Sequence, residues 1–214
     1  MNGNGSIPGP STMLEERFAT HFRDSAALQA ESLRVLLPAL SAAVQAAART
    51  LRGGGRVLSC GNGGSAAQAQ HFAAELSGRF ERERRPLAGI ALTADTAALS
   101  AIGNDYGFDE VFARQVGALA RRGDCLVAIS TSGNSRNVLA AIKAMHESGG
   151  DVVALSGRDG GALPRLLRAA DVELRVPGQV TARIQEVHLL LLHCLCDGID
   201  ELLAASASHR ERPR

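Results

Sequence analysis

The sequence predicts an α/β fold, a doubly wound five-stranded parallel sheet of the flavodoxin-like type. Short, continuous apolar runs recur between residues 56 and 176, and helical stretches separate them. Such runs are typical of parallel strands that are covered on both faces, with right-handed crossover helices between them. Two of the runs end in Gly- or Ser-rich loops, and doubly wound sheets bind their ligands at such strand ends.

The N-terminal region is predicted to be helical before the first strand. Residues 1–12 are rich in Gly, Asn, Ser and Pro and are predicted to be disordered. Apolar residues then recur at helical spacing, and Pro38 can start a second helix. We therefore expect a helical hairpin over residues 13–54. Its apolar stripe indicates either simple packing or a subunit interface, and both readings remain open.

The remaining elements follow from the alternation of apolar runs and helical periodicity. The predicted strands are 56–60, 88–92, 125–130, 151–155 and 172–176. The predicted helices are 65–78, 96–103, 109–121, 136–148, 161–169 and a last one from 182 to about 204. Together they form one domain over residues 55–205. The last helix is apolar on nearly every side from Val187 to Cys196, which predicts burial in the core or between subunits.

Charged segments outside these elements are predicted to face solvent. The run at residues 81–85, ERERR, is expected to be a solvated loop, and residues 206–214 a disordered tail. The chain has 23 Lys and Arg against 22 Asp and Glu, so no basic surplus favours direct contact with nucleic acid. No apolar run reaches membrane-spanning length and no signal peptide is recognisable. We therefore expect a cytoplasmic protein that does not contact membranes.

The first loop carries the densest chemistry of the chain. Residues 61–78, GNGGSAAQAQHFAAELSG, combine a Gly-rich turn with the start of a helix. Ser65 is a suitable N-cap, and the amide groups of a new helix attract anions. His71 and Glu75 lie four residues apart on the same helix, so they share a face. This segment therefore combines a phosphate cradle with an acid/base pair.

The second loop, at residues 130–135, contains four hydroxyl groups in six residues. These belong to Ser130, Thr131, Ser132 and Ser135. Hydroxyls and amides at a helix start suit a phosphate, and the loop lacks the Lys of a P-loop. Neutral donors favour a sugar phosphate over a nucleotide with magnesium. An ordinary helix cap remains the alternative, although a cap needs only one hydroxyl.

Two other chemistries have weaker support. Gly61-x-Gly63-x-x-Ala66 matches a loose dinucleotide fingerprint, which would require an acidic residue such as Asp95, but Asp95 lies beyond the usual interval of roughly 20 residues. That interpretation also leaves the Ser-rich loop unexplained. The four cysteines are predicted to be core residues, since Cys194-x-Cys196 is not a zinc-binding spacing.

Several motifs in the same order resemble the phosphoheptose isomerases of the SIS (sugar isomerase) family. They are GNGGSAAQAQHFAAE, AIGNDYGF, GDCLVAISTSGNS and RIQEVHLLLLH, and the resemblance covers about residues 40–204. It implies the SIS fold, a homotetramer and one Zn²⁺ per subunit. It also implies conversion of sedoheptulose 7-phosphate to D-glycero-D-manno-heptose 7-phosphate, a step toward the ADP-heptose of lipopolysaccharide.

The resemblance also implies roles for individual residues. The implied metal ligands are His71, Glu75, Gln185 and His193. The implied substrate contacts are Asn62, Gly63, Gly64, Ser65, Glu75, Asn104, Asp105, Ser130, Thr131, Ser132, Ser135 and Gln185. Glu75 would be the base and His193 the acid of an enediolate mechanism. Gln185 and His193 lie roughly 12 Å apart along a straight helix, so their side chains must lean together or a neighbouring subunit must contribute.

A second interpretation is that the protein has a non-catalytic function. The family contains an adaptor that binds the replication initiator DnaA, and the segments ARIQE, HFAAE and HCLCDGID are similar to it. Ala182 stands where some isomerases carry Asp. Glu75 and His193 favour the enzyme, because an adaptor is expected to lack them. A sugar-phosphate-sensing transcription regulator is a third option, but the chain has no room for a separate DNA-binding domain. His188 matches no implied ligand and is predicted to be structural.

Overall fold

The computed structural model describes residues 10–210 and contains one five-stranded sheet. Its strands are β1 (Val57–Gly61), β2 (Gly89–Ala91), β3 (Cys125–Ser130), β4 (Asp151–Gly157) and β5 (Val172–Val176). All of the pairings are parallel and the strand order is β2-β1-β3-β4-β5. This is the flavodoxin-like order, so the predicted fold class is confirmed.

Helices cover both faces of the sheet. They are α1 (Pro10–Arg52), α2 (Gly64–Ser77), α3 (Thr96–Tyr106), α4 (Ala113–Leu119), α5 (Arg136–Glu147) and α6 (Thr181–Arg210). Two short 3₁₀ helices, Phe108–Glu110 and Leu163–Arg165, complete the described chain. Val127 packs in the core layer that includes α1, α2 and α6, whereas its neighbour Leu126 packs in the layer that includes α4 and α5. Successive strand residues thus point to opposite faces, and both faces are buried.

The N-terminal region is one helix, so the prediction of a hairpin was wrong. Pro38 lies inside α1, which continues from Pro10 to Arg52. The residues beside Pro38 include no Gly, Asn or Asp that would favour a turn. The buried face also continues on both sides of Pro38, from Leu36 to Ala43 and Ala47. A single helix therefore keeps its core contacts despite the amide hydrogen bond that the proline removes.

Other element boundaries also differ from prediction. The helix expected at 161–169 is only a 3₁₀ turn, because positive-φ glycines at 160 and 161 precede it and Pro164 lies inside it. The helix expected at 109–121 is divided into the 3₁₀ helix and α4. Residues 10–12 and 206–210 are helical rather than disordered. Residues 1–9 and 211–214, also predicted to be disordered, lie outside the described residues.

By length and composition alone, the part of α1 over Ser11–Arg52 could cross a membrane. The sequence prediction that no apolar run reaches that length is therefore too strict. Core helices pass the same test, and Ala43, Ala47 and Leu51 of α1 are buried against the rest of the domain. Only 22% of the apolar window is buried within one chain, so packing on the sheet and α6 explains the apolar composition of α1 only in part.

Candidate active site

The first predicted loop lies at the carboxyl end of β1, next to the point where the strand order reverses. Gly63 adopts a φ of 55° and α2 begins at Gly64, with no side chain capping its first turn. The predicted N-cap, Ser65, instead lies inside the first turn and is buried. It packs against Gly61, where a Cβ would lie 2.8 Å from the Ser65 Cβ. No side chain therefore occupies the N-cap site of α2, although the amide of Ser65 already donates to the Asn62 carbonyl.

The second loop joins β3 to α5 on the other side of the strand-order reversal. Ser135 occupies the N-cap position of α5, but its Oγ contacts the Ser130 Oγ at 2.9 Å instead of capping the helix. The Ser132 Oγ accepts from the Asn134 amide at 3.2 Å.

By contrast, Asp95 caps α3 by accepting a hydrogen bond from the Ala98 amide. Asp95 is thus a structural cap, so it is not available as the acidic residue that a dinucleotide-binding site would require.

A pair of amide side chains connects the two loops. Asn62 and Asn137 donate to each other across the strand-order reversal, at 2.8 and 2.9 Å, and Asn137 is buried. Gln185, from the start of α6, lies over the same region: a Cβ on Gly64 would meet its Nε2 at 2.7 Å. The predicted contacts in the two loops and at Gln185 are therefore neighbours at the carboxyl edge of the sheet.

Three of the four predicted metal ligands also meet. The Nε2 atoms of His71 on α2 and His193 on α6 lie 2.9 Å apart, although 122 residues separate them in the sequence. The Glu75 Oε1 lies 3.6 Å from the His71 Nε2, and all three side chains are partly exposed. The two imidazole rings meet edge to face, and Phe80 packs beside His193 with ring centroids 5.5 Å apart. The cluster therefore has one apolar wall and one accessible side.

The donor chemistry of this cluster suits zinc, although its spacing is not yet that of a metal site. Imidazole nitrogens and carboxylate oxygens are normal zinc ligands. Two such nitrogens on one tetrahedral Zn²⁺ would be about 3.3 Å apart, given a Zn–N bond of about 2 Å. The observed 2.9 Å is a hydrogen-bond distance, in which one ring donates and the other accepts. Accordingly, no three His, Cys, Asp or Glu side chains in the described part of the chain are already arranged around an ion.

Three predicted site residues lie apart from this cluster. The backbone oxygen of Gln185 accepts from the Gln68 Nε2 at 2.6 Å, and its side chain lies at Gly64, not beside the histidines. Asn104 and Asp105 are in the last turn of α3 and are exposed, with the Asn104 Nδ2 donating to the Asp105 Oδ1 at 2.8 Å. Within one chain, these side chains therefore have other partners and do not complete the histidine cluster.

Two neighbours of the site were missed in the sequence. Asn137 follows the Ser-rich loop by two residues, so a wider reading of that loop would have included it. Arg84 lies in the charged run that was predicted to be solvated, yet its side chain is only 12% exposed. Nothing in the local sequence distinguishes it from the arginines at 82 and 85, since burial here depends on α6.

A family model described as the SIS domain matches residues 20–157. The chain belongs to the SIS family. This SIS protein is 56% identical over 192 residues to the phosphoheptose isomerase of Neisseria gonorrhoeae (strain NCCP11945), covering 90% of this chain and 98% of the relative. It therefore belongs with the phosphoheptose isomerases of the family, which are sugar-phosphate isomerases.

Solved structures give the same assignment for the SIS fold. The phosphoheptose isomerase GmhA from Neisseria gonorrhoeae superposes with a TM-score of 0.84 at 53% identity, over 88% of this chain and 99% of that one. A phosphoheptose isomerase from Francisella tularensis superposes with a TM-score of 0.85 at 46% identity, over 87% of this chain and 97% of that one. The similarity thus extends over nearly the whole of each relative.

Proposed function

We propose that the protein isomerises sedoheptulose 7-phosphate to D-glycero-D-manno-heptose 7-phosphate, for the ADP-heptose of lipopolysaccharide. The observation that carries this proposal is that His193 meets His71 and Glu75 on α2, the helix whose start carries no side-chain cap. The relatives named phosphoheptose isomerase support the same substrate class. An acid/base cluster and an anion-binding edge are the two parts that isomerisation of a sugar phosphate needs.

The phosphate would be bound at the carboxyl edge of the sheet. The loops at residues 61–65 and 130–135 offer backbone amides and hydroxyls, and Asn62 is held in place by Asn137. His71 lies six residues beyond Ser65 on α2, about 9 Å along the helix axis. A seven-carbon chain can span that distance. Binding the remote phosphate would therefore place the carbonyl end of the sugar toward the histidines and Glu75.

Glu75 would act as the base of the reaction and His193 as the acid. Glu75 takes a proton from the carbon beside the carbonyl and returns a proton to the neighbouring carbon, which interconverts ketose and aldose through an enediolate. His193 moves a proton between the two sugar oxygens. The His71 Nε2 faces His193, so it orients the ring that carries this proton.

The same cluster is proposed to bind Zn²⁺, one ion per subunit. His71, Glu75 and His193 would be ligands after the two Nε2 atoms separate by a few tenths of an ångström. Gln185 stays the predicted fourth ligand, but its side chain would have to leave Gly64 to reach the ion. When bound, zinc would supply a positive charge for the developing oxyanion.

The proposed function is tested with purified protein and sedoheptulose 7-phosphate, by following heptose 7-phosphate formation by NMR. Glu75→Gln keeps the size of the side chain but removes the base. We expect turnover to fall by at least about 1,000-fold, while sugar-phosphate binding, measured by calorimetry, changes less than about threefold. Full activity of Glu75→Gln contradicts the role of Glu75, and an inactive wild-type protein contradicts the proposed reaction.

The assembly and location follow the same proposal. We expect a homotetramer in the cytoplasm, with no nucleic acid partner. The competing function, docking to DnaA without catalysis, is less well supported, because the relatives of 54–56% identity are named phosphoheptose isomerase. An inactive wild-type protein that binds DnaA would favour the adaptor instead.

A further inference from the structure

Arg84 caps the carboxyl end of the helix that carries His71 and Glu75. Its guanidinium donates to the backbone oxygens of Glu75 at 2.7 Å and Leu76 at 2.9 Å, and more weakly to that of Gly78 at 3.2 Å. The last carbonyls of a helix lack intrahelical partners, and a cation is favoured there by the helix dipole. Arg84 therefore binds α2 through its backbone, at the residue proposed as the base.

The same guanidinium binds α6. Its Nε donates to the Asp200 Oδ1 at 2.5 Å, and the Asp200 side chain is only 3% exposed. The other carboxylate oxygen of Asp200 is buried, with no hydrogen-bond partner among the described residues. Since a buried carboxylate is costly without a cation, Asp200 depends on Arg84. The ion pair is thus a rigid connection between two helices.

Asp200 lies on the helix that carries His193. The two residues are seven positions, about two turns, apart, so they share one face of α6. Arg84 consequently joins the backbone of Glu75 to the helix of His193, close to where the His71 and His193 rings meet.

We propose that Arg84 and Asp200 are positioning residues that hold α2 and α6 at the separation where His71 and Glu75 face His193. This inference rests on the proposed isomerase function of that cluster. Neither residue touches the substrate; both act through the helices. Displacement of catalytic groups by about 1 Å is enough to reduce turnover by about 100-fold.

The chain offers a matched control in the next ion pair. Arg82 and Glu201 join the same loop to the same helix at 2.5 Å, but their side chains are 55% and 60% exposed. The contact described for the Arg82 side chain is with Glu201, not with the α2 backbone. Exposed pairs of this kind contribute little. Arg82 also interacts electrostatically with Asp200, so both variants remove one positive charge near that carboxylate. A difference between Arg84→Gln and Arg82→Gln therefore measures the hydrogen bonds that only Arg84 makes to α2 and Asp200.

The test compares kcat, KM and folding of these variants with sedoheptulose 7-phosphate. We expect Arg84→Gln to lower kcat about 10- to 100-fold, as is typical when supporting contacts of a site are removed. KM should change less than about threefold, because the phosphate loops lie at the other end of α2. Arg84→Lys should recover part of kcat, since it keeps the charge but not the planar fork. Arg82→Gln should keep both constants within about twofold.

A kcat of Arg84→Gln equal to that of Arg82→Gln, in protein shown to be folded by circular dichroism, overturns the inference. If Arg84→Gln does not fold, Asp200→Asn and Arg84→Lys replace it, with the same expected split between kcat and KM. If kcat and the folded fraction of Arg84→Gln fall by the same factor, the role of Arg84 is merely structural, and the inference is also overturned.

The affinity for Zn²⁺ alone, by competition with a chromogenic chelator, separates this inference from the proposed reaction. Arg84→Gln should bind zinc about 10- to 100-fold more weakly than Arg82→Gln does. If Arg84→Gln binds zinc more weakly but the wild-type protein shows no turnover, the proposed reaction is contradicted and the positioning role is supported. Equal zinc affinities, or a wild-type protein that neither turns over nor binds zinc, overturn the positioning role.

Discussion

His188 is fully buried on α6, where its Nε2 lies 2.9 Å from the Ser156 carbonyl oxygen. Its Nδ1 is buried and has no hydrogen-bond partner among the described residues. Burial lowers the pKa of His188 from its usual 6.5 to about 4. The ring is therefore neutral in the folded protein and donates from Nε2, which agrees with the structural role predicted for it.

This histidine should make the protein sensitive to acid. Between pH 6.5 and 4 the unfolded chain binds a proton at residue 188 that the folded protein does not bind, so stability present above pH 6.5 is lost as the pH falls toward 4. We expect about 2 kcal/mol of this contribution to disappear between pH 7 and 5. Urea unfolding of wild type and His188→Gln at both pH values measures it.

The variant His188→Gln keeps a donor for Ser156 but cannot be protonated, so its free energy of unfolding should fall less on acidification. His21→Gln is the control, because His21 is exposed on α1 and its removal should leave the pH dependence as in wild type. Equal acid sensitivity of wild type and His188→Gln would contradict the assignment.

At the scale of elements, α1 shows how a local signal can be overridden. Proline is unfavourable inside a helix but common at its first position, so Pro38 predicts the start of a new helix. The helix nevertheless passes through it, since Leu28, Leu36 and Ala43 lie on one buried face. Packing along this face outweighs the local cost of about 3 kcal/mol that an interior proline carries.

Replacing Pro38 should therefore stabilise the helix. Pro38 is exposed, so Pro38→Ala removes no core contact and restores an amide that can donate to the Arg34 carbonyl. We expect the free energy of unfolding to rise by about 1–3 kcal/mol. Ser41→Ala, an exposed change in the same helix, should alter it by less than about 0.5 kcal/mol. A loss of stability in Pro38→Ala would mean that packing requires a bend at this position.

At the scale of the whole molecule, one chain leaves a large apolar surface uncovered. Residues 11–23 of α1 are exposed, including Phe18 at 53% and Phe22 at 79%. Leu189 and Leu190 of α6 are exposed as well, in the segment predicted to be buried. Extensive exposed apolar surface is typical of protein contacts. It favours the subunit-interface reading of α1 and supports the homotetramer that we propose.

Disrupting this surface should change the assembly. Phe18 and Phe22 lie one turn apart on α1, so a charge at either position would be buried in an interface between copies. We expect the wild type to sediment as a species larger than the monomer at micromolar concentration, and Phe22→Glu to sediment as smaller species. Thr20→Glu, at an exposed position pointing away from that stripe, is the control. A wild-type monomer would refute the proposed assembly.

The sequence by itself determined the sheet, its five strands and the two loops at the carboxyl edge, because these depend on short-range patterns. Apolar runs and glycine turns specify strands and their ends without knowledge of distant residues. Likewise, the four-residue spacing of His71 and Glu75 placed them on one helix face. The identity of their partner His193 came from resemblance to the family, since no spacing connects residues so far apart.

Only the tertiary structure decided which distant residues meet. It brought His71 to within 2.9 Å of His193, paired Asn62 with Asn137, and buried Arg84 between two helices. It also placed the Gln185 side chain at Gly64 rather than beside the histidines. The physical reason is that local patterns determine the faces of an element, whereas the distance between two helices depends on side chains packed from the whole chain.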